Sequence, residues 1–259
     1  MTHRPVITLL TDFGLSDHYV AAMKGVILGI CPDAQLVDIS HEIKAFGVRE
    51  AAYTLAQAAP CFPAGTVHLI VVDPGVGSSR RKVIGEAGGH CFVAPDNGVL
   101  TGVKGGDPAA RFIEIRNEAF FRHPVSRTFH GRDIFAPTAA HLARGIAPSE
   151  FGPPVADPVL LPIREPVQDS HGNWTGEILH VDRYGNLITN LTGRPREPFE
   201  LLIRGQAITS FHTHFAAAPT GEPFAIEGSS GYLEVSVNQG DASRLTGASA
   251  GDPVTLRFL

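Results

Sequence analysis

Acidic residues stand at the ends of three apolar runs. Thr11-Asp12-Phe13-Gly14 closes Val6–Thr11, with Asp17 five residues beyond Asp12. Asp38 and His41 close the second run, and Asp73-Pro74-Gly75-Val76-Gly77-Ser78-Ser79-Arg80-Arg81 follows the third. Pro95-Asp96-Asn97-Gly98 and Phe129-His130-Gly131-Arg132-Asp133 repeat the mixture of acid, glycine and base. Ligands of open parallel sheets bind at the carboxyl ends of strands, so acids gathered there imply a convergent polar site. The segment from Asp73 to Arg81 has the glycines and serines of a phosphate loop but lacks its Gly-x-x-x-x-Gly-Lys pattern. Its acid and its arginine can instead fold back on each other across the glycine turn.

Each residue taken singly has a plainer role. Aspartate before Gly or Pro favours turns. Asp17 after Ser16 suits a helix N-terminus. Asp182-Arg183-Tyr184-Gly185-Asn186 reads as a hairpin turn, although an aromatic beside an Asn can also stack on a base and bond its edge.

The elements that must position these residues alternate. Val6–Thr11 reads as a strand, and Val20, Met23, Val26, Ile27 and Ile30 then recur at helical spacing behind a Ser16-Asp17 cap. Residues 35–39 form a second strand, 48–59 an alanine-rich helix stopped by Pro60, and 67–72 a third, almost wholly apolar strand. Residues 82–84, 91–93 and 112–115 read as short strands. A last helix, 134–144, is capped by Asp133. This is the α/β signature with a largely parallel central sheet. Five prolines between Pro153 and Pro166 mark a linker. The expected domains are 1–165, α/β, and 166–259, a smaller all-β, barrel-like domain of short strands.

The composition bounds the function. The chain has 259 residues, 43% hydrophobic and 18% charged, with 28 Gly, 20 Pro and a formal charge of −5. No basic surplus drives nucleic-acid binding. No stretch approaches the roughly 18 apolar residues of a membrane helix, and no signal peptide is visible. Cys31, Cys61 and Cys91 are too few and too far apart for a disulfide framework or zinc knuckle, and are expected to be buried, reduced thiols of a cytoplasmic protein.

Taken together, the motifs resemble the S-adenosyl-L-methionine (SAM) hydroxide adenosyltransferases, the SAM hydrolases related to fluorinase and chlorinase. The resemblance runs from Thr11-Asp12-Phe13-Gly14 through Val72–Gly77, Ala94–Gly98, Phe129–Asp133 and Asp182–Asn186 to Gly228-Ser229-Ser230-Gly231-Tyr232-Leu233. It implies hydrolysis of SAM to adenosine and methionine by attack of water or hydroxide at C5′, with SAM as substrate and no cofactor or metal. It also implies a homotrimer with sites at subunit interfaces. Asp73, Arg80 and His130 match the hydrolytic triad. Asp12 matches the acid holding the ribose hydroxyls, Asp17 and Asp182 the methionine-contacting acids, and Ser229 and Ser230 the pair at the methionine carboxylate. Tyr184, Asn186 and Phe215 match the adenine contacts, and Phe46 an aromatic lining the ribose–sulfonium region.

The fluorinase departs at three places. It carries Tyr at the Asp73 position, Ser at the Gly131 position and an insertion before the Asp96-Asn97 motif, where this chain runs only fifteen residues from Arg81. Ser230 also replaces the fluorinase arginine, so backbone amides could take over recognition of the methionine carboxylate. Two alternatives stand beside the hydrolase reading: a divalent-metal hydrolase using Asp12, Asp73, Asp96, His130 and Asp133, and a non-catalytic SAM- or adenosine-binding module.

Overall fold

The computed structural model describes residues 4–196 and 198–259. The chain packs as two units, the first ending at Leu161 and the second running Pro162–Leu259.

The first unit holds β1 (Val6–Thr11), α1 (Tyr19–Ile30), β2 (Gln35–Ser40), α2 (Val48–Ala58), β3 (Val67–Val71), β4 (Lys82–Ala87), β5 (His90–Pro95), α3 (Thr101–Gly106), β6 (Arg111–Glu114) and α4 (Ala136–Ala143). Its sheet has the order β2-β1-β3-β5-β4-β6. β1, β2, β3 and β5 run parallel, while β4 is antiparallel to both β5 and β6. The reversal comes at Gly88-Gly89, both at positive φ, which is the two-residue turn whose twist matches a hairpin.

The apolar runs explain the layering. Alternate residues of β1 and β3 point to opposite faces. Ile7, Leu9 and Leu69 pack with Met23 and Ile27 of α1 and with α4, whereas Leu10, Ile70 and Val72 pack with Ala51 and Leu55 of α2. With both faces covered, β1 and β3 are buried along nearly their whole length, their polar side chains Thr8, Thr11 and His68 included.

Two helix ends differ from expectation. No side chain caps α1, whose N-cap residue is His18 rather than Ser16 or Asp17. Asp133 does not cap a helix either. It lies inside a π-turn over Gly131–Phe135 that feeds α4, with Pro137 in the first turn of that helix.

The second unit is β7 (Val167–Gln168), β8 (Trp174–Val181), β9 (Leu187–Thr192), β10 (Phe199–Ile203), β11 (Gln206–Ile208), β12 (Pro223–Glu227), β13 (Tyr232–Val237), α5 (Ala242–Thr246) and β14 (Pro253–Phe258). They form one antiparallel sheet in the order β11-β10-β14-β8-β9-β13-β12, with β7 beside β8. Just past β11, Ser210 O accepts from Ala225 N at 2.8 Å and His212 N donates to Ala225 O at 3.0 Å, so the sheet nearly closes on itself. Leu201, Leu233, Val235, Val254 and Leu256 fill the interior. A nearly closed sheet leaves little unpaired strand edge.

Candidate active site

The first unit has a cavity of about 310 Å³ at the carboxyl ends of β1 and β3. Asp12, Phe46, Asp73, Phe129 and His130 line it.

Asp73 follows β3 by two residues. The chain turns at once, Val76 N donating to Asp73 O at 3.2 Å and Ser78 N to Gly75 O at 3.1 Å. This tight path returns Arg80 to the start of its own loop, as the acid-to-arginine spacing suggests. Arg80 Nε donates to Asp73 Oδ1 at 2.7 Å and Nη2 donates to Asp73 Oδ2. Both side chains are at least nine-tenths buried. A pair this deep is costly to break from one side, because the surviving charge has no partner. The guanidinium also lies 5.2 Å from the centre of the Phe135 ring.

His130 opens the π-turn. Its Nδ1 lies 3.0 Å from Arg80 Nη2. A guanidinium has only donors, so Nδ1 accepts, and the neutral ring carries its proton on Nε2. Burial and the neighbouring Arg80 charge hold the imidazole below its usual value, against the pull of Asp73. The ring is therefore neutral near pH 7 and presents an N–H rather than a lone pair at Nε2.

Asp12 Oδ2 accepts the Phe46 N–H at 2.8 Å. Phe46 has φ of 66° and is 70% exposed. Left-handed backbone at a bulky residue costs energy, and here it aims an amide at the carboxylate.

A second cavity, about 900 Å³, lies within the barrel unit. Asp182, Tyr184, Asn186, Phe215 and Ser229 line it. Asp182 ties the β8–β9 hairpin: Oδ1 accepts from Tyr184 N and Asn186 N, both at 2.9 Å, and Oδ2 accepts from Asn186 Nδ2 at 2.8 Å. The hairpin reading and the pocket reading of this motif thus hold together. One Asn186 amide N–H goes to Asp182, and its carbonyl oxygen can accept from a ligand donor. Tyr184 is 76% exposed and Phe215 45%, so both offer ring faces.

Several singled-out residues lie elsewhere. Asp17 is exposed and Ser230 half-buried, and neither lines the cavity of its unit. Asp96 is bound by Arg81 Nε at 2.7 Å and Val159 N at 2.8 Å. The fully buried Asp133 takes Arg132, Arg122 and the Ser126 amide. Its ionised form survives burial because those donors outweigh the desolvation, leaving its carboxyl below the usual range. These two acids brace loops, and the metal alternative had counted them as ligands. Among the described residues no three His, Cys, Asp or Glu side chains group as a metal site. Of the three thiols, Cys31 is buried, Cys91 half-buried and Cys61 exposed, contrary to the expectation that all are buried.

Among the lining residues that the sequence reading did not single out is a half-buried acid. Glu234 of β13 also faces the second cavity. Burial, with the Asp182 charge, pushes its carboxyl up. A Cβ built on Gly228 would overlap the Glu234 carboxylate, so this glycine keeps room for it. Nothing in the spacing signals this, because the pairing of β12 with β13 is what brings Gly228 and Glu234 together.

Carboxylates at the strand ends of a mostly parallel sheet, followed by a nearly closed antiparallel sheet with a cavity of its own, define a two-unit α/β scaffold. The SAM hydroxide adenosyltransferase N-terminal domain model matches residues 7–152, and its C-terminal domain counterpart matches residues 176–255. The chain is similar to the (R)-S-adenosyl-L-methionine hydrolase of Thermus thermophilus, 42% identical over 98% of this chain and 99% of that one. It is 40% identical to the protein of the same name from Salinispora tropica, over 97% of each. Fluorinases are more distant, at about 28% identity. The crystal structure of an uncharacterized conserved protein from Thermotoga maritima superposes with a TM-score of 0.90 at 38% identity, covering 96% of this chain and 99% of the other. The chain belongs to the SAM hydroxide adenosyltransferase family.

Proposed function

We propose that this protein hydrolyses SAM to adenosine and L-methionine, with SAM and water as the only reactants. The observation that carries the reading is the Asp73–Arg80–His130 chain beside Asp12 at the strand ends.

The chemistry follows from the substrate. A sulfonium is already a good leaving group, so no general acid is needed. The new bond joins water oxygen to C5′. The C5′–S bond breaks with its electron pair passing to sulfur, which leaves as the neutral thioether of methionine. Water is a weak nucleophile toward a primary carbon, so it has to be positioned and relieved of a proton. Asp73 is the acceptor: each of its oxygens keeps a lone pair after bonding Arg80. Arg80 fixes the carboxylate and supplies permanent positive charge for developing hydroxide. His130, donating from Nε2, orients the water oxygen and takes no proton. The anionic Asp73 also disfavours a halide nucleophile.

Asp12 holds the ribose hydroxyls through the oxygen not occupied by Phe46, and Phe46 lines the ribose–sulfonium region. In the barrel unit, Tyr184 and Phe215 stack on adenine and the Asn186 carbonyl accepts from its amino group. Ser229 and Ser230 receive the methionine carboxylate, while Asp17 and Asp182 face its ammonium. Glu234 adds a third carboxylate to that end. The family resemblance supports a homotrimer in which neighbouring subunits complete each site. No helix among the described residues is long and apolar enough to cross a membrane, and we propose that the protein acts in the cytoplasm.

The test is to incubate purified protein with SAM and separate products by chromatography. Adenosine and methionine in equal amounts are expected, with activity surviving a chelator. Neither product above the uncatalysed rate contradicts the reading, and loss of activity on chelation points to the metal alternative. Binding of SAM in a calorimeter without turnover points to a sensing module.

A further inference from the structure

A second polar chain lies behind the Asp12 loop, and the chemistry above does not use it. Thr11 Oγ1 accepts the Phe13 N–H at 3.3 Å and lies 2.8 Å from His41 Nδ1. His41 Nε2 lies 3.1 Å from Asp38 Oδ1, at ion-pair distance though not aligned as a hydrogen bond. Asp38 Oδ2 accepts Lys24 Nζ at 2.6 Å. The His41 carbonyl also takes the Gly14 N–H at 2.8 Å. The Thr11 and His41 side chains are buried, while Asp38 and Lys24 reach the surface.

The donors order this chain. The Thr11 oxygen already accepts from Phe13, so its hydroxyl proton is free for Nδ1. A neutral His41 then carries its proton on Nε2, facing the Asp38 carboxylate, which Lys24 holds from the other side. The chain runs from a surface lysine on α1 to the residue directly after Asp12, hydrogen-bonded at each link except His41–Asp38, which stands at ion-pair distance. Hydrogen bonds between buried side chains restrict the motion of what they touch. Here they hold the amides of Phe13 and Gly14, the two residues that follow Asp12. Phe46 holds only one oxygen of that carboxylate.

We infer that His41 is a positioning residue for Asp12, acting through Thr11 and oriented by Asp38 and Lys24. The inference rests on the proposed ribose role of Asp12. It assigns the chain a part in ligand selection: a carboxylate held in one direction can accept from both ribose hydroxyls, and a wandering one cannot.

The test measures binding of adenosine and of 2′,3′-dideoxyadenosine to the full-length protein by calorimetry. The variants are Thr11→Val, His41→Asn, Asp38→Asn and Asp12→Asn. Thr11→Val and His41→Asn are expected to weaken adenosine about fivefold, the worth of one net hydrogen bond, and to leave the dideoxy compound unchanged. The KM for SAM rises in step while kcat stays within about twofold. Asp38→Asn gives a smaller loss of the same kind, and since that side chain is 40% exposed it does not threaten folding. If Asp12→Asn abolishes the preference for adenosine but Thr11→Val and Asp38→Asn keep it, the positioning role is wrong and the ribose role stands. If Asp12→Asn keeps the preference, the ribose role fails and takes the positioning role with it.

Discussion

Arg80 Nη2 sits 3.0 Å from His130 Nδ1 while the same guanidinium grips Asp73 through two bonds. One residue therefore decides two protonation questions. It keeps the His130 proton on Nε2, and in the proposed reaction it leaves Asp73 to accept the proton of water. The sequence places all three residues but leaves open which of Asp73 and His130 takes the proton.

Activity should follow a neutral His130. Its imidazole is held below the usual histidine value. Activity is therefore expected to stay level as pH falls through 6.5 and to decline only lower. A kcat profile breaking at or above pH 6.5 would assign the proton differently. His130→Ala should cut kcat by about 100-fold with little change in KM, as befits a group acting on the reacting water.

Glu234 should trade stability for binding. Its carboxyl is pushed up by burial and by Asp182. The folded state then holds a proton that the unfolded state has released, so this contribution is full below the usual carboxylate value and is lost as pH rises through the raised one. Glu234→Gln removes that loss, and its melting temperature at pH 7 should match or exceed that of the parent. If the carboxylate meets the substrate ammonium, the same variant raises KM about tenfold. An unchanged KM would reduce Glu234 to a structural residue. Gly228→Ala should raise KM too, by displacing this side chain.

His68 gives an independent check on the fold. It is fully buried, its Nδ1 lies 2.8 Å from Thr8 Oγ1, and its ring stacks on Phe92. Burial, with the nearby His90, pushes its value down to about 3. Between pH 6.5 and about 3 the unfolded chain binds a proton that the folded chain refuses. Stability should fall with pH across that window, by up to about 1.4 kcal/mol per unit from this group. His68→Gln should show a shallower acid slope in urea titrations at several pH values. An identical slope would contradict the buried neutral ring.

Much of this layout was legible in sequence because apolar runs and their terminal acids follow simple rules. The first strand has the expected limits, Val6–Thr11, and the pairing of Asp73 with Arg80 follows from seven residues of glycine-bearing turn. Legibility ended where one residue type serves two ends. Asp96 and Asp133 carry the same local signature as Asp12 and Asp73 yet are consumed by arginines: Asp133 by its neighbour Arg132 and by Arg122, Asp96 by Arg81, the last two being partners that the folded chain brings near. Glu234 alternates with Leu233 and Val235 as any solvent-facing strand residue would, and only β-pairing puts it beside Gly228. Gly88-Gly89 was a readable hairpin signal, and it is what turns β4 antiparallel.

The most direct measurement is turnover of SAM in oxygen-18-labelled water, with mass analysis of both products. Attack at C5′ puts one labelled oxygen into adenosine and none into methionine, and Asp73→Ala should lose most of that labelled product. Unlabelled adenosine, or methylthioadenosine in its place, would contradict water attack at C5′.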